Sequence, residues 1–337
     1  MPDRELAFVD AIHEALQEEM RRDPSVYLIA EDVTVKQLER ARLGLADEFG
    51  RARVIDAPIA ETAILATAFG SAVTGMRPVA EIASINFVTV CVDPIANHIS
   101  KYRYATGRGD LSLPIVIRTQ TGNAGALAQG PHHEQSLEAW FTHMPGLKVV
   151  MPSDAYDAKG LLKAAIRGDD PVFFIEHRLL AWEKGVVPEG DYTVPIGKAA
   201  VKREGTDVTV VAWSRDVRLA LSAAATLERR GVSAEVVDLR TLVPLDEAAI
   251  LRSVEKTGRL VIAHEACKTG GFGGEIAAVV AEKGFRSLKA PIKRVASLDS
   301  PIPQNRGLAN AILIQEEDIV NAALEVIGEP AVSGRRS

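Results

Sequence analysis

The chain has 337 residues, of which 47% are hydrophobic and 25% charged, and a formal net charge of −6. That length suits two α/β domains, each able to bury its own core, and that balance belongs to a globular protein rather than to a disordered or membrane chain. No stripe of Lys or Arg is present to neutralise a nucleic acid, no stretch reaches the length of a membrane span, and Cys91 and Cys267 lack the spacing of a disulfide framework or a zinc site.

The opening segment MPDRELAFVDAIHEALQEEM returns repeatedly to charge and has no apolar core of the kind a signal peptide needs, so a cytoplasmic location is expected. Apolar residues Leu6, Val9, Ile12, Leu16 and Met20 recur at helical spacing from Glu5 to Arg22, and Asp23-Pro24 stops the helix. A strand is predicted at Val26 to Ala30, then β-rich runs at Arg53 to Asp56, Pro78 to Ile82, Ile115 to Arg118, Val149 to Met151 and Val172 to Glu176, with helical stretches between them. The pattern breaks into Gly, Pro and charge after Arg178. The expected division is therefore a first domain over 1–180, a linker over 181–198, a second domain over 199–330 and a polar tail over 331–337. The second series alternates again. It places strands at Val208 to Trp213, Ala234 to Leu239, Leu260 to His264 and Ile292 to Ala296, and helices at Val217 to Arg230, Asp246 to Lys256 and Glu275 to Lys283. Strands alternating with helices predict an α/β protein of two doubly wound, mainly parallel domains.

Several signatures fail on inspection. TGGFGGEIAA lies between a strand and a helix, where a dinucleotide loop would lie, but Ile276 stands where the third glycine belongs; a turn that lets a helix start close to the sheet fits better. His133-Glu134 opens like a zincin motif, yet Leu137 occupies the second histidine position. No metal site emerges, and Arg108-Gly109-Asp110 is a three-letter match of no weight. Two segments carry more. In Asp56-Ala-Pro-Ile-Ala-Glu61 a strand runs through a turn and delivers a carboxylate at the start of a helix, where it serves either a ligand or the helix dipole. In Gly130-Pro-His-His-Glu-Gln135 two histidines follow the Gly-rich loop TGNAGALAQG, and spacing leaves a site and a solvated loop equally weighted.

The strings DAPIAETAI, GMRPVAEIASINF, ISKYRYATG, HHEQSLEAWFTHMPGLKVVMPS, DAKGLLKAAIRGDDPVFF, VPEGDYTVPIGKA, REGTDVTVVA, AEVVDLRTLVPLD and HEACKTGGFGGEIAA follow one another along nearly the whole chain. In that order they resemble the beta subunit of the thiamine-diphosphate-dependent 2-oxo acid dehydrogenase decarboxylating component, of pyruvate or branched-chain type, and the similar acetoin dehydrogenase. The resemblance implies a pyrimidine-binding domain followed by a transketolase C-terminal-like domain. It implies that Glu61 bonds a ring nitrogen of the aminopyrimidine, favouring the imino tautomer whose exocyclic nitrogen takes the thiazolium proton. It places the aromatic residue beside the aminopyrimidine at Phe87, a further cofactor contact at Ile59 and the active-site histidine at His133, with His132 as second choice. Glu134 stands where the family has serine; a carboxylate there would raise the histidine pKa if the side chains met.

The resemblance also implies a structural monovalent cation near AAIRGDDP, where Gly168 replaces a usually acidic residue. The chain has neither the Gly-Asp-Gly nor the paired asparagines that carry diphosphate and magnesium in thiamine-diphosphate enzymes. An alpha subunit is therefore expected to hold Mg2+ and the diphosphate, in an assembly of two alpha and two beta chains that works with a lipoyl acyltransferase. The expected reaction is decarboxylation of a 2-oxo acid with acyl transfer to the lipoyl arm. Acetoin cleavage is the alternative, a non-catalytic scaffold subunit is the rival of another class, and a dinucleotide-binding reductase is a distant third.

Overall fold

The computed structural model describes residues 3–33, 40–107, 111–122 and 129–331. The RGD tripeptide, most of TGNAGALAQG and all but the first residue of the expected tail lie outside the described residues. Two units are formed, one from Met1–Gly122, His132–Ile196 and Leu242–Pro244, the other from Asn123–Pro131, Gly197–Thr241 and Leu245–Ser337.

The first unit begins with strand β1 (Asp3–Ala7) and helix α1 (Phe8–Arg22), so the expected helix starts three residues late. The reason is a pairing that periodicity cannot see: β1 runs antiparallel to β8 (Lys184–Pro188), a strand inside the stretch expected to be irregular. Between them come β2 (Val26–Glu31), α2 (Leu45–Phe49), β3 (Val54–Ala57), α3 (Glu61–Val73), β4 (Arg77–Ile82), α4 (Tyr102–Ala105), β5 (Val116–Thr121), α5 (Glu138–Thr142), β6 (Lys148–Val150), α6 (Ala155–Arg167) and β7 (Val172–His177). Parallel pairing gives the order β6-β7-β5-β4-β2-β3, extended beyond β6 by a short strand from the later chain. Every residue of β2 and β7 is buried, as expected of strands covered on both faces. On one face α1 lays Phe8, Ile12, Leu16 and Met20 against Leu161, Leu162 and Ile166 of α6. Two lysines of α6 are buried as well. Lys159 meets Glu18 at 2.8 Å and Glu14 at 3.1 Å across that interface, which satisfies charges that burial alone would penalise.

From β2 the chain passes to β3 on one side and then to β4 on the other. This reversal is a topological switch point, and the crevice outside the carboxyl ends of such strands is where α/β sheets bind ligands.

The second unit contains β9 (Ala200–Arg203), β10 (Val208–Ala212), α7 (Asp216–Glu228), β11 (Ala234–Asp238), β12 (Thr241–Val243, the strand lent from Leu242 onward to the first unit), α8 (Glu247–Thr257), β13 (Leu260–Cys267), α9 (Gly273–Lys283), β14 (Lys293–Ser297), α10 (Arg306–Ile312) and α11 (Glu316–Ile327). The sheet order is β14-β13-β10-β11-β9, with β9 antiparallel and the other pairs parallel. Val208, Val210 and Val236 pack with Ala220 and Ala224 of α7 and Ile319 of α11 in its core. The short edge strand β9 and the last two helices were not anticipated. Among the described residues no helix is long and apolar enough to cross a membrane.

Candidate active site

Five strands of the first unit bring their carboxyl ends, and the segments that follow, to one region. The strand β2 ends in Glu31, which is only 8% exposed, and its Oε2 has no hydrogen-bond partner. Asp32 then turns the chain at φ 54°, a conformation aspartate tolerates better than most residues, and the next backbone N–H, of Val33, donates to Asp56 Oδ1 at 3.0 Å. Past β3 the chain reaches Ile59, 73% exposed, and Glu61, half-buried at the first position of α3. Ala60 supplies no side-chain cap, so the helix start presents its free N–H groups beside a carboxylate. Burial, and after it Glu61 and Asp32, hold the Glu31 carboxyl above the usual range. Two carboxyls thus share one neighbourhood.

Strand β4 leads into a helical turn, Phe87–Cys91, tied to α3 by Thr62 Oγ1 donating to the Val90 carbonyl at 3.2 Å. Cys91 is buried beneath it, its thiol pushed up to about 12 by burial and then by Glu61. Phe87 meets the His133 ring edge-on, centroids 5.2 Å apart. The His133 segment is pinned by its main chain: Ser84 Oγ donates to the His133 carbonyl at 3.3 Å, Arg178 donates to the same oxygen, and the Gln135 N–H donates to Asn86 Oδ1 at 3.2 Å. The imidazole takes no part in these bonds. Its Nδ1 is buried without a partner, so the condition that Glu134 bonds the ring at that nitrogen is not met; Glu134 is itself fully buried. His132 is exposed. The sites expected at Ile59, Glu61, Phe87 and His133 therefore fall on neighbouring segments of one unit.

Sequence reasoning missed what lies beneath. Arg118 of β5 donates to Glu81 of β4 and chelates Glu176 of β7, with Nη2 to Oε2 at 2.9 Å. Arg42 approaches Glu81 at 3.5 Å and donates to the Glu31 carbonyl at 2.7 Å. All five are buried, and burial pushes the Glu176 carboxyl up in spite of Arg118.

The geometry fits the aminopyrimidine half of thiamine diphosphate: a carboxyl for a ring nitrogen, a flat aromatic neighbour, an exposed apolar side chain and an unsatisfied imidazole nitrogen. Among the described residues no three His, Cys, Asp or Glu side chains group to hold a divalent ion. The AAIRGDDP segment suits a monovalent ion poorly. Arg77 donates to the Ile166 and Gly168 carbonyls at 3.1 and 2.8 Å and to Asp169 at 2.8 Å, while Asp170 pairs with Arg103 and Lys148.

The chain is similar to known proteins over nearly its whole length. Residues 4–182 match the transketolase pyrimidine binding domain and 197–319 the transketolase C-terminal domain. The chain is 46% identical to the beta subunit of acetoin:2,6-dichlorophenolindophenol oxidoreductase of Bacillus subtilis, covering 98% of this chain and 99% of that one. It is 44% identical to the 2-oxoisovalerate dehydrogenase beta subunit of the same organism, over 96% and 99%, and 43% identical to a pyruvate dehydrogenase E1 component beta subunit of Oryza sativa, over 95% and 86%. A solved split-gene transketolase, an inactive beta4 tetramer, superposes with a TM-score of 0.78 at 25% identity, over 96% of this chain and 99% of that chain.

Proposed function

Because the chain belongs to the family of dehydrogenase beta subunits built from a transketolase pyrimidine-binding and a transketolase C-terminal domain, we propose that it is the beta subunit of a 2-oxo acid dehydrogenase decarboxylating component. What carries the proposal is the convergence of Glu61, Phe87 and His133 at the strand ends of the switch-point unit. When bound, thiamine diphosphate supplies the nucleophilic carbon that attacks the substrate carbonyl. Glu61 holds a proton at the pyrimidine ring nitrogen, and Glu31 shares that proton with it. Ile59 and Phe87 pack the ring. His133, fixed through its carbonyl and unpartnered at Nδ1, exchanges a proton with the substrate.

The diphosphate and Mg2+ fall to an alpha subunit, in an assembly of two alpha and two beta chains, and the acyl group passes to a lipoyl acyltransferase. Acetoin is the second substrate reading, favoured by the 46% identity to the acetoin enzyme's beta subunit. Reconstitution tests the proposal. The chain alone should neither decarboxylate 2-oxo acids nor cleave acetoin, and adding its alpha partner, thiamine diphosphate and Mg2+ should produce one of the two activities. Full activity from the chain by itself would refute the shared site.

A further inference from the structure

The buried row beneath the site runs Glu31, Arg42, Glu81, Arg118, Glu176, and it holds three carboxyls against two guanidinium groups. The guanidinium groups are not spread evenly. Arg118 is committed to Glu81 and Glu176, which among the described residues leaves Arg42 as the cation at the Glu31 end. Arg42 does not point its strongest contact at the Glu31 side chain. It donates to the Glu31 main-chain oxygen at 2.7 Å and turns its Nε toward Glu81 at 3.5 Å. The carboxyl of Glu31 is left with one oxygen buried and unpartnered. Among the described residues, the charged groups that bear on it are the carboxylates of Glu61 from α3, Asp32 from the following turn and Glu81 from β4, and the cation Arg42.

Burial and neighbouring carboxylates make a carboxyl hold its proton more tightly, and a guanidinium close by makes that proton easier to release. From this arrangement we propose that Arg42 is a positioning residue for the Glu31–Glu61 pair. It fixes the end of β2 through the main chain, and it sets how readily the pair hands over its proton. The inference rests on the assignment of Glu61 to the cofactor, and it adds a residue that acts through the end of β2. The rest of the row serves to aim it: Glu176 holds Arg118, Arg118 holds Glu81, and Glu81 holds the Arg42 guanidinium away from Glu31.

The test uses the enzyme reconstituted with its alpha subunit, thiamine diphosphate and Mg2+. Two readouts apply, the pH midpoint of kcat/KM and the number of protons exchanged on cofactor binding, obtained from calorimetry in buffers of different ionisation heat. Removing the positive charge in Arg42→Gln should raise the midpoint by roughly one pH unit, a tenfold change in the proton equilibrium, and change the proton count at neutral pH. Arg42→Lys keeps the charge and should hold the midpoint close to that of the parent. Glu81→Gln removes a carboxylate and should move it the other way, which keeps the test open if Arg42→Gln does not assemble. Lower activity at every pH with midpoint and proton count unchanged would make Arg42 merely structural and overturn the inference. A fully active Glu61→Gln enzyme would instead overturn the assignment beneath it.

Discussion

His133 in the first unit and His264 in the second each carry a buried ring nitrogen without a hydrogen-bond partner, and each leans on an aromatic ring, Phe87 edge-on at 5.2 Å and Trp213 face-on at 5.1 Å. Their surroundings differ. His133 is half-buried on a segment held by its main chain, with the Glu31–Glu61 pair on neighbouring strand ends. His264 is wholly buried and sealed by the TGGFGG loop: a Cβ on Gly271 would meet its ring at 2.6 Å and one on Gly273 at 2.7 Å. The glycines that mimic a dinucleotide loop are there to let the start of α9 close over an imidazole. An unsatisfied buried nitrogen is therefore met in two settings, on a segment pinned by its main chain near two carboxyls and under a glycine-rich helix start.

The largest effect that would sharpen this contrast is at Glu61. In the reconstituted enzyme Glu61→Gln should slow thiazolium proton exchange and turnover by on the order of 100-fold or more, the usual scale for a lost general acid–base group, with assembly intact. Were Glu61 only complementing the α3 dipole, the same change would cost about 1 kcal/mol or less and leave exchange untouched. Normal exchange together with a lowered melting temperature would remove the first unit's claim to chemistry.

Next come the histidines, taken as a pair. His133→Ala should reduce turnover by on the order of 10-fold or more while changing cofactor affinity little, and His264→Leu should leave turnover near that of the parent. The second histidine should appear instead in stability. Burial, and then Arg294, hold its pKa down to about 4, against about 6.5 in an unfolded chain. Between those values the unfolded state binds more protons, so the stability of the neutral, buried form is complete above about pH 6.5 and is lost as pH falls toward 4. The loss amounts to about 3 kcal/mol by linkage. Urea titrations across that window should show this slope in the parent and not in His264→Leu. An equal slope in both would mean that the ring is not held neutral.

Much of this was legible in the sequence. The alternation of strands and helices is read from period and punctuation, and Glu61, Phe87 and His133 stand in strings long enough to carry a resemblance. The ionic row was not read: Arg118 and Glu176 appeared only as bounds of predicted strands, and which charges pair depends on the β4-β5-β7 register, set by long-range contacts. The same holds for β1 with β8, whose partners Ala7 and Lys184 lie 177 residues apart and Asp3 and Pro188 lie 185 apart, and whose alternation is too short to announce itself. Glu31 was hidden differently. It closes an apolar run and looks like the first polar residue of a loop until the switch point puts Glu61 beside it.

The smallest expected effect concerns the AAIRGDDP segment at the end of α6. A helix leaves its last carbonyls without partners, and a cation there is favourable whether it is an ion or a side chain. In this chain Arg77 serves the Ile166 and Gly168 carbonyls and Asp169 together, so the cation is covalently part of β4. Melting temperature should then be the same in potassium chloride and in choline chloride at equal ionic strength. Arg77→Ala should lower stability by on the order of 1–2 kcal/mol through the lost charge-assisted bonds, and potassium should recover part of that loss in the variant alone, because only there are the carbonyls free to take it. A rise of several degrees with potassium in the parent chain would show that the segment binds an ion beside Arg77, and the first unit would then need a bound metal for its stability as well as a bound cofactor for its chemistry.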